Sequence, residues 1–140
     1  MKMKEIEIFI DGAAKGNPGP AGIGVVICQG GVTIKNIDKY IGKATNNVAE
    51  YTALIYGLKE CISMGAECIK INTDSQLLCR QINGIYKIKS ANLMQLYNQV
   101  LLLSSAFKKM TIEHIRRDKN VGADKLANKA VKEARKRSVL

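Results

Sequence analysis

The sequence predicts a mixed α/β fold in the order βββαβααβα, and three observations carry that expectation. Alternating and β-branched apolar runs fill the first third. Short β-branched runs then alternate with segments whose apolar residues recur at three- and four-residue spacing. No linker-like stretch interrupts the 140 residues, a length that one domain fills with a core of its own, so residues 1–140 are expected to form a single domain.

Ile6, Ile8 and Ile10 alternate with Glu5, Glu7 and Phe9, the pattern of a strand with one apolar face. Asp11 falls on the opposite face, at the expected C-terminal end of that strand. The following GNPGP is turn chemistry, with two prolines that cannot donate to a sheet ladder. Ala21 to Gln29 is mostly apolar and β-branched, and Gly30-Gly31 signals a hairpin into Val32 to Ile41. The opening third thus reads as an antiparallel meander.

Thr45, Asn46 and Asn47 are start signals for a helix with Ala49, Ala53, Leu54, Gly57, Leu58, Cys61 and Ile62 on its core-facing stripe. Met64-Gly65-Ala66 ends it, and Cys68 to Asn72 is a strand with Ile69 and Ile71 on one face. Thr73-Asp74-Ser75 opens a short helix to about Ile82, broken by Asn83-Gly84. Ala91 to Phe107 has the spacing of a longer helix. Met110 to Arg116 is expected to be the last strand, with Ile112 and Ile115 inward. The final helix, from about Val121, buries Ala123, Leu126, Ala127, Ala130, Val131 and Ala134.

Charge narrows the function. Lys and Arg number 22 against 12 Asp and Glu, giving +10, which favours a polyanionic partner such as nucleic acid; the plainer alternative is charge that confers only solubility. Four cysteines without a CxxC pair and a single histidine leave no zinc-like ligand set, so the cysteines read as reduced core residues of a cytoplasmic chain. With no apolar run of signal-peptide or membrane-span length, a soluble, non-exported protein is expected.

Four acidic residues stand at element junctions, and each has a structural reading. Asp11 can bond its own loop amides, and Glu50 can be the far half of a capping box begun by Asn47. Asp74 with Ser75 can cap a helix, and Asp124 can answer the macrodipole in the first turn of the last helix. Their placement suggests more. Asp11 and Asp74 end strands on matching alternations, so parallel neighbouring strands would bring both to one edge, and the helix starts at Glu50 and Asp124 can join them. Crowded carboxylates repel unless protonated or neutralised by cations, and an all-oxygen set suits Mg²⁺ or Mn²⁺.

Four blocks, DGAAKGNPGPAGIGVV, TNNVAEYTALIYGL, NTDSQLL and GADKLANKA, resemble the motifs of ribonuclease H of type 1 in order and spacing, over nearly the whole chain. The resemblance implies a ribonuclease H-like fold, with three antiparallel strands and then two parallel ones in a five-stranded mixed sheet flanked by helices. It implies endonucleolytic cutting of the RNA strand of an RNA/DNA hybrid, leaving 5′-phosphate and 3′-hydroxyl ends. Asp11, Glu50, Asp74 and Asp124 become ligands of two Mg²⁺ ions bridged by Asp11, with Mn²⁺ as the alternative. Gly12, Asn17, Thr45, Asn47 and Gln76 match substrate-contacting positions: Asn17, Asn47 and Gln76 at the minor groove and its 2′-hydroxyls, Thr45 at a DNA-strand phosphate. A non-catalytic module binding hybrid or double-stranded RNA, and a DNA nuclease or integrase-like enzyme, are the competing readings. A monomer without an obligate protein partner is expected.

The chain departs from the family pattern in two places. The loop before the last helix, RDKNVG, lacks the histidine that many relatives carry there; His114 lies in the strand segment and reads as a packing residue, leaving Arg117 or Lys119 to assist product release. Asn83 to Asn92 is too short for a basic protrusion, and no separate hybrid-binding domain is expected before the catalytic part. Lys132, Arg135 and Arg137 on the basic face of the last helix are then the candidates for added substrate affinity, unless that face is simply solvated.

Overall fold

The computed structural model describes residues 4–139. Its elements are β1 (Glu5–Ala14), β2 (Gly19–Gln29), β3 (Val32–Ala44), α1 (Asn46–Ser63), β4 (Cys68–Thr73), α2 (Gln76–Ile82), α3 (Ala91–Ser104), β5 (Lys109–His114) and α4 (Val121–Val139), with a 3₁₀ turn at Arg117–Lys119. The strands form one five-stranded sheet in the order β3-β2-β1-β4-β5. β1, β2 and β3 are antiparallel, whereas β4 runs parallel to both β1 and β5. The expected topology and mixed sheet are therefore observed.

Alternation along the strands assigns the two faces. Ile8, Ile10 and Val25 point toward α1, where a Cβ on Gly57 would lie 2.8 Å from the Ile8 side chain. The isoleucines of β1 are 0–2% exposed and join Leu54, Leu58, Ile71 and Val100 in the core beneath α1 and α3. Gly22 and Gly24 look the other way, toward α4: a Cβ on Gly22 would come within 2.6 Å of the Ala127 carbonyl oxygen, and one on Gly24 would collide with that of Ala123. Two glycines in a strand that cost it β propensity let the α4 backbone lie directly on the sheet.

Several expected boundaries move. β2 and β3 are longer than expected, since their pairing continues from Gln29 opposite Val32 to Gly19 opposite Ala44. α3 ends at Ser104 and not at Phe107, although Phe107 still closes the core from the following turn. β5 ends at His114 because its partner β4 ends at Thr73 opposite it, and Ile115 beyond the strand is only half-buried. His114 is exposed at that strand end and does not pack in the core, contrary to the sequence reading. All four cysteines are buried and none is in a disulfide, as expected. Among the described residues no helix is long and apolar enough to cross a membrane.

Candidate active site

Unequal strand pairing brings Asp11 into a cavity. β1 pairs with β4 only as far as Ile10 opposite Thr73, but with β2 as far as Ala14 opposite Ala21. Asp11 thus lies inside a strand, opposite Gly24, beside the gap where β4 gives way to α2. The expectation that the strand ends at Asp11 is corrected, because hairpin pairing with β2 carries it on to Ala14. Asp11 is 5% exposed, and Oδ1 accepts the Gly12 N–H at 3.0 Å.

Glu50 arrives from the α1 side of the sheet. The N-cap of α1 is Thr45, whose Oγ1 accepts the Val48 N–H at 3.2 Å, so the capping box between Asn47 and Glu50 does not form. Gly12 instead explains Glu50's position: a Cβ there would overlap the Ala49 carbonyl carbon and sit 2.5 Å from the Glu50 nitrogen. The missing side chain allows the helix backbone to touch β1, which sets the buried Glu50 carboxylate beside Asp11.

Asp74 follows the last residue of β4. Ser75 and not Asp74 caps α2, accepting the Leu78 N–H at 3.1 Å, so the Asp74 side chain is not consumed as a cap. It is held from elsewhere: buried Asn120 donates Nδ2 to Asp74 Oδ2 at 3.2 Å and to the Ile10 carbonyl at 2.8 Å. Asp124, in the first turn of α4, accepts from Asn128 Nδ2 at 3.2 Å and lies 3.9 Å from the Arg117 guanidinium.

Carboxylate oxygens of Asp11, Glu50 and Asp74 all lie within 4.8 Å of one another. Asp124 stands outside that mutual group but lines the same cavity of about 470 Å³, together with Gly12, Lys15, Asn46, Asn47, Arg117 and Asn128. Burial pushes the Asp11 carboxyl up to about 7, with repulsion from Asp74 and then a side-chain hydrogen bond with Asp124, together with its charge, adding to it. Burial, followed by repulsion from Asp11 and Asp74, pushes Glu50 up to about 10. Glu50 Oε2 is buried without a hydrogen-bond partner. Crowded carboxylates with an orphaned buried oxygen are the donor set that a hard divalent cation satisfies.

The other sequence-derived candidates are dispersed. Gly12, Asn47 and Arg117 line the cavity, whereas Thr45 and Gln76 do not. Exposed Asn17 turns its Oδ1 to the Asn46 N–H, 3.0 Å away. Lys119 borders a smaller recess beside Phe9 and Val26. Lys132, Arg135 and Arg137 are exposed along α4 beyond the cavity, and Arg137 borders a groove with Asp38 and Tyr40.

Lys15, Asn46, Asn120 and Asn128 contribute to the site although sequence reasoning did not select them. Asn120 immediately precedes α4, which is the only local signal it carries. Asn46 reads only as a helix start, Asn128 shows only its four-residue spacing from Asp124, and Lys15 has no local signal.

Residues 9–130 match the family model described as reverse transcriptase-like. A bifunctional protein of Mycobacterium tuberculosis is 40% identical over 91% of this chain, which spans only 35% of that relative's length. A ribonuclease H of Pseudomonas putida is 34% identical, with 93% of this chain and 95% of the relative covered. Among solved structures, LC11-RNase H1 in complex with an RNA/DNA hybrid is similar at a TM-score of 0.88 and 40% identity, over 92% of this chain and 98% of that one. With the observed strand order and the carboxylates at the open end of β1 and β4, these likenesses have one consequence: the chain belongs to the type 1 ribonuclease H family.

Proposed function

We propose that this chain is an endoribonuclease that hydrolyses the RNA strand of RNA/DNA hybrids with divalent cations, Mg²⁺ foremost and Mn²⁺ as the alternative, leaving 5′-phosphate and 3′-hydroxyl ends. The observation that carries the proposal is the convergence of Asp11, Glu50 and Asp74 within 4.8 Å, with one Glu50 oxygen buried and unpartnered. A cluster of this kind would repel a phosphodiester unless cations came with it, so a purely binding module would gain nothing from it. The relative solved with a hybrid supports the choice of substrate.

Asp11, Glu50 and Asp74 would hold the cations, with Asp124 completing the set from the cavity wall. Bound there, the ions supply a water of lowered pKa and offset the charge that builds on the phosphate. The chain's own residues supply position and selectivity. Burial of Asp11 and Glu50 keeps their carboxylates in place and excludes bulk water from one side of the reacting phosphate. Asn47 offers an amide at the cavity wall that can both donate to and accept from a ribose 2′-hydroxyl, the group that separates RNA from DNA. Arg117 stands 84% exposed at the mouth, where a guanidinium can meet a phosphate.

The proposal is tested by incubating the protein with RNA/DNA hybrid, double-stranded RNA and duplex DNA in Mg²⁺, Mn²⁺ or EDTA. Metal-dependent cleavage confined to the RNA of the hybrid is expected, reduced by about 10²-fold or more in Asp11→Asn while binding persists. Cleavage that survives EDTA, or an Asp11→Asn variant of normal rate, contradicts it.

A further inference from the structure

The turn between β1 and β2 is fastened to both helices that deliver acidic residues to the cavity. Toward α1, the Ala14 N–H donates to Asn46 Oδ1 at 3.1 Å and Asn17 Oδ1 accepts the Asn46 N–H at 3.0 Å. Toward α4, Lys15 Nζ donates to Asn128 Oδ1 at 2.7 Å. Asn128 in turn donates Nδ2 to the Asp124 carbonyl at 2.9 Å and to Asp124 Oδ1 at 3.2 Å. Lys15, Asn128 and Asp124 all line the cavity that holds the carboxylates.

An amide has one accepting end and one donating end. With the Lys15 ammonium on the accepting end, the donating end must face Asp124, and a flipped amide would set an oxygen against both the carboxylate and its carbonyl. Asp124 also lies outside the mutual 4.8 Å group of Asp11, Glu50 and Asp74, so its reach toward a shared cation depends on what orients it. We propose that Asn128, locked in orientation by Lys15, is a positioning residue that presents Asp124 to the cation site, and that the β1–β2 turn acts as a crossbar between α1 and α4. This rests on the reading of Asp124 as a cation ligand.

Mg²⁺ affinity measured by calorimetry without substrate, alongside steady-state cleavage of hybrid, tests the crossbar. Asn128→Leu is expected to weaken Mg²⁺ binding and lower kcat by roughly 10- to 100-fold, the usual cost of removing a group that orients a ligand, while KM for hybrid stays unchanged. Asn128→Ala, the better helix former, gives the same result if Asn128→Leu folds poorly. Lys15→Met should act in the same direction but less, Lys15→Arg should restore Mg²⁺ affinity, and the double variant should be no worse than Asn128→Leu alone. Unchanged Mg²⁺ affinity in Asn128→Ala overturns the crossbar. So does a Lys15→Met variant that alters only KM and its salt dependence, since Lys15 would then be a phosphate contact. Asp124→Asn is the control: if it binds Mg²⁺ normally, the reading of Asp124 as a ligand fails, and the crossbar with it.

Discussion

α1 and α4 lie on opposite faces of one sheet and each delivers a carboxylate to the same cavity, but they hold it by different means. Glu50 is carried by packing: Gly12 admits the α1 backbone, and one carboxylate oxygen is left buried with no partner. Asp124 is carried by polar partners, Asn128 and Arg117, which both meet its Oδ1, and its side chain is 32% exposed. A carboxylate fixed by packing is rigid but costly until a cation neutralises it. One fixed by hydrogen bonds costs less when empty and can turn. The difference suggests a rigid inner pair, Asp11 with Glu50, and an adjustable outer residue.

Substitution of the seating glycines would break the contrast most severely. Gly12→Ala and Gly24→Ala each force a methyl onto helix backbone, in α1 and α4 respectively, and should cost about 1–3 kcal/mol of stability or more, read from urea unfolding. Gly30→Ala, a control in open space but at φ +58°, should cost less. Equal losses at all three positions would show that close helix approach is not what the buried glycines provide.

Titration sharpens the contrast. Asp11 and Glu50 rise on folding from 3.8 and 4.5 to about 7 and about 10, so the folded protein binds protons that the unfolded chain has released. In EDTA, stability should therefore fall as pH rises from about 5 through 9, by at most about 1.4 kcal/mol per pH unit for each group. Mg²⁺ should oppose the fall, and Glu50→Gln should flatten it and raise the melting temperature at pH 8. Asp124→Asn, at the exposed and partnered end, should change it less. A melting temperature independent of pH in EDTA would mean that the inner pair is not strained.

The smallest effect concerns the outer face of α4. Replacing Lys132, Arg135 and Arg137 with Gln should reduce the slope of log affinity for hybrid against log salt by about 1 for each phosphate that the helix no longer neutralises. An unchanged slope would mark that face as solvated and nothing more.

Much of the fold and of the site was legible because the informative residues are periodic or sit at junctions. The alternation of Ile6, Ile8 and Ile10 against Asp11, and of Ile69 and Ile71 against Asp74, set both carboxylates on matching alternations, and the observed parallel pairing of β1 with β4 brings them to one edge. The extension of β1 to Ala14 was hidden, because Gly12-Ala13-Ala14 has no strand pattern and is held extended by β2. Likewise Gly22 and Gly24 look like weak points in a strand until α4 is seen against them. Asn46, Asn120 and Asn128 were invisible for a different reason. Their meaning lies in partners as much as 113 residues away, and no local signal records those.

The glycines of β2 bear on how such a protein can diverge. Ala123 and Ala127 meet Gly24, and Ala127 and Ala130 meet Gly22, at distances that admit no added carbon on the sheet side, so strand and helix share a single steric allowance. A larger residue on either is tolerable only with a change on the other. Transplanting α4 alone from a relative with a bulkier helix would shift Asp124 without altering a single acidic residue, whereas transplanting β2 with α4 would keep it in place.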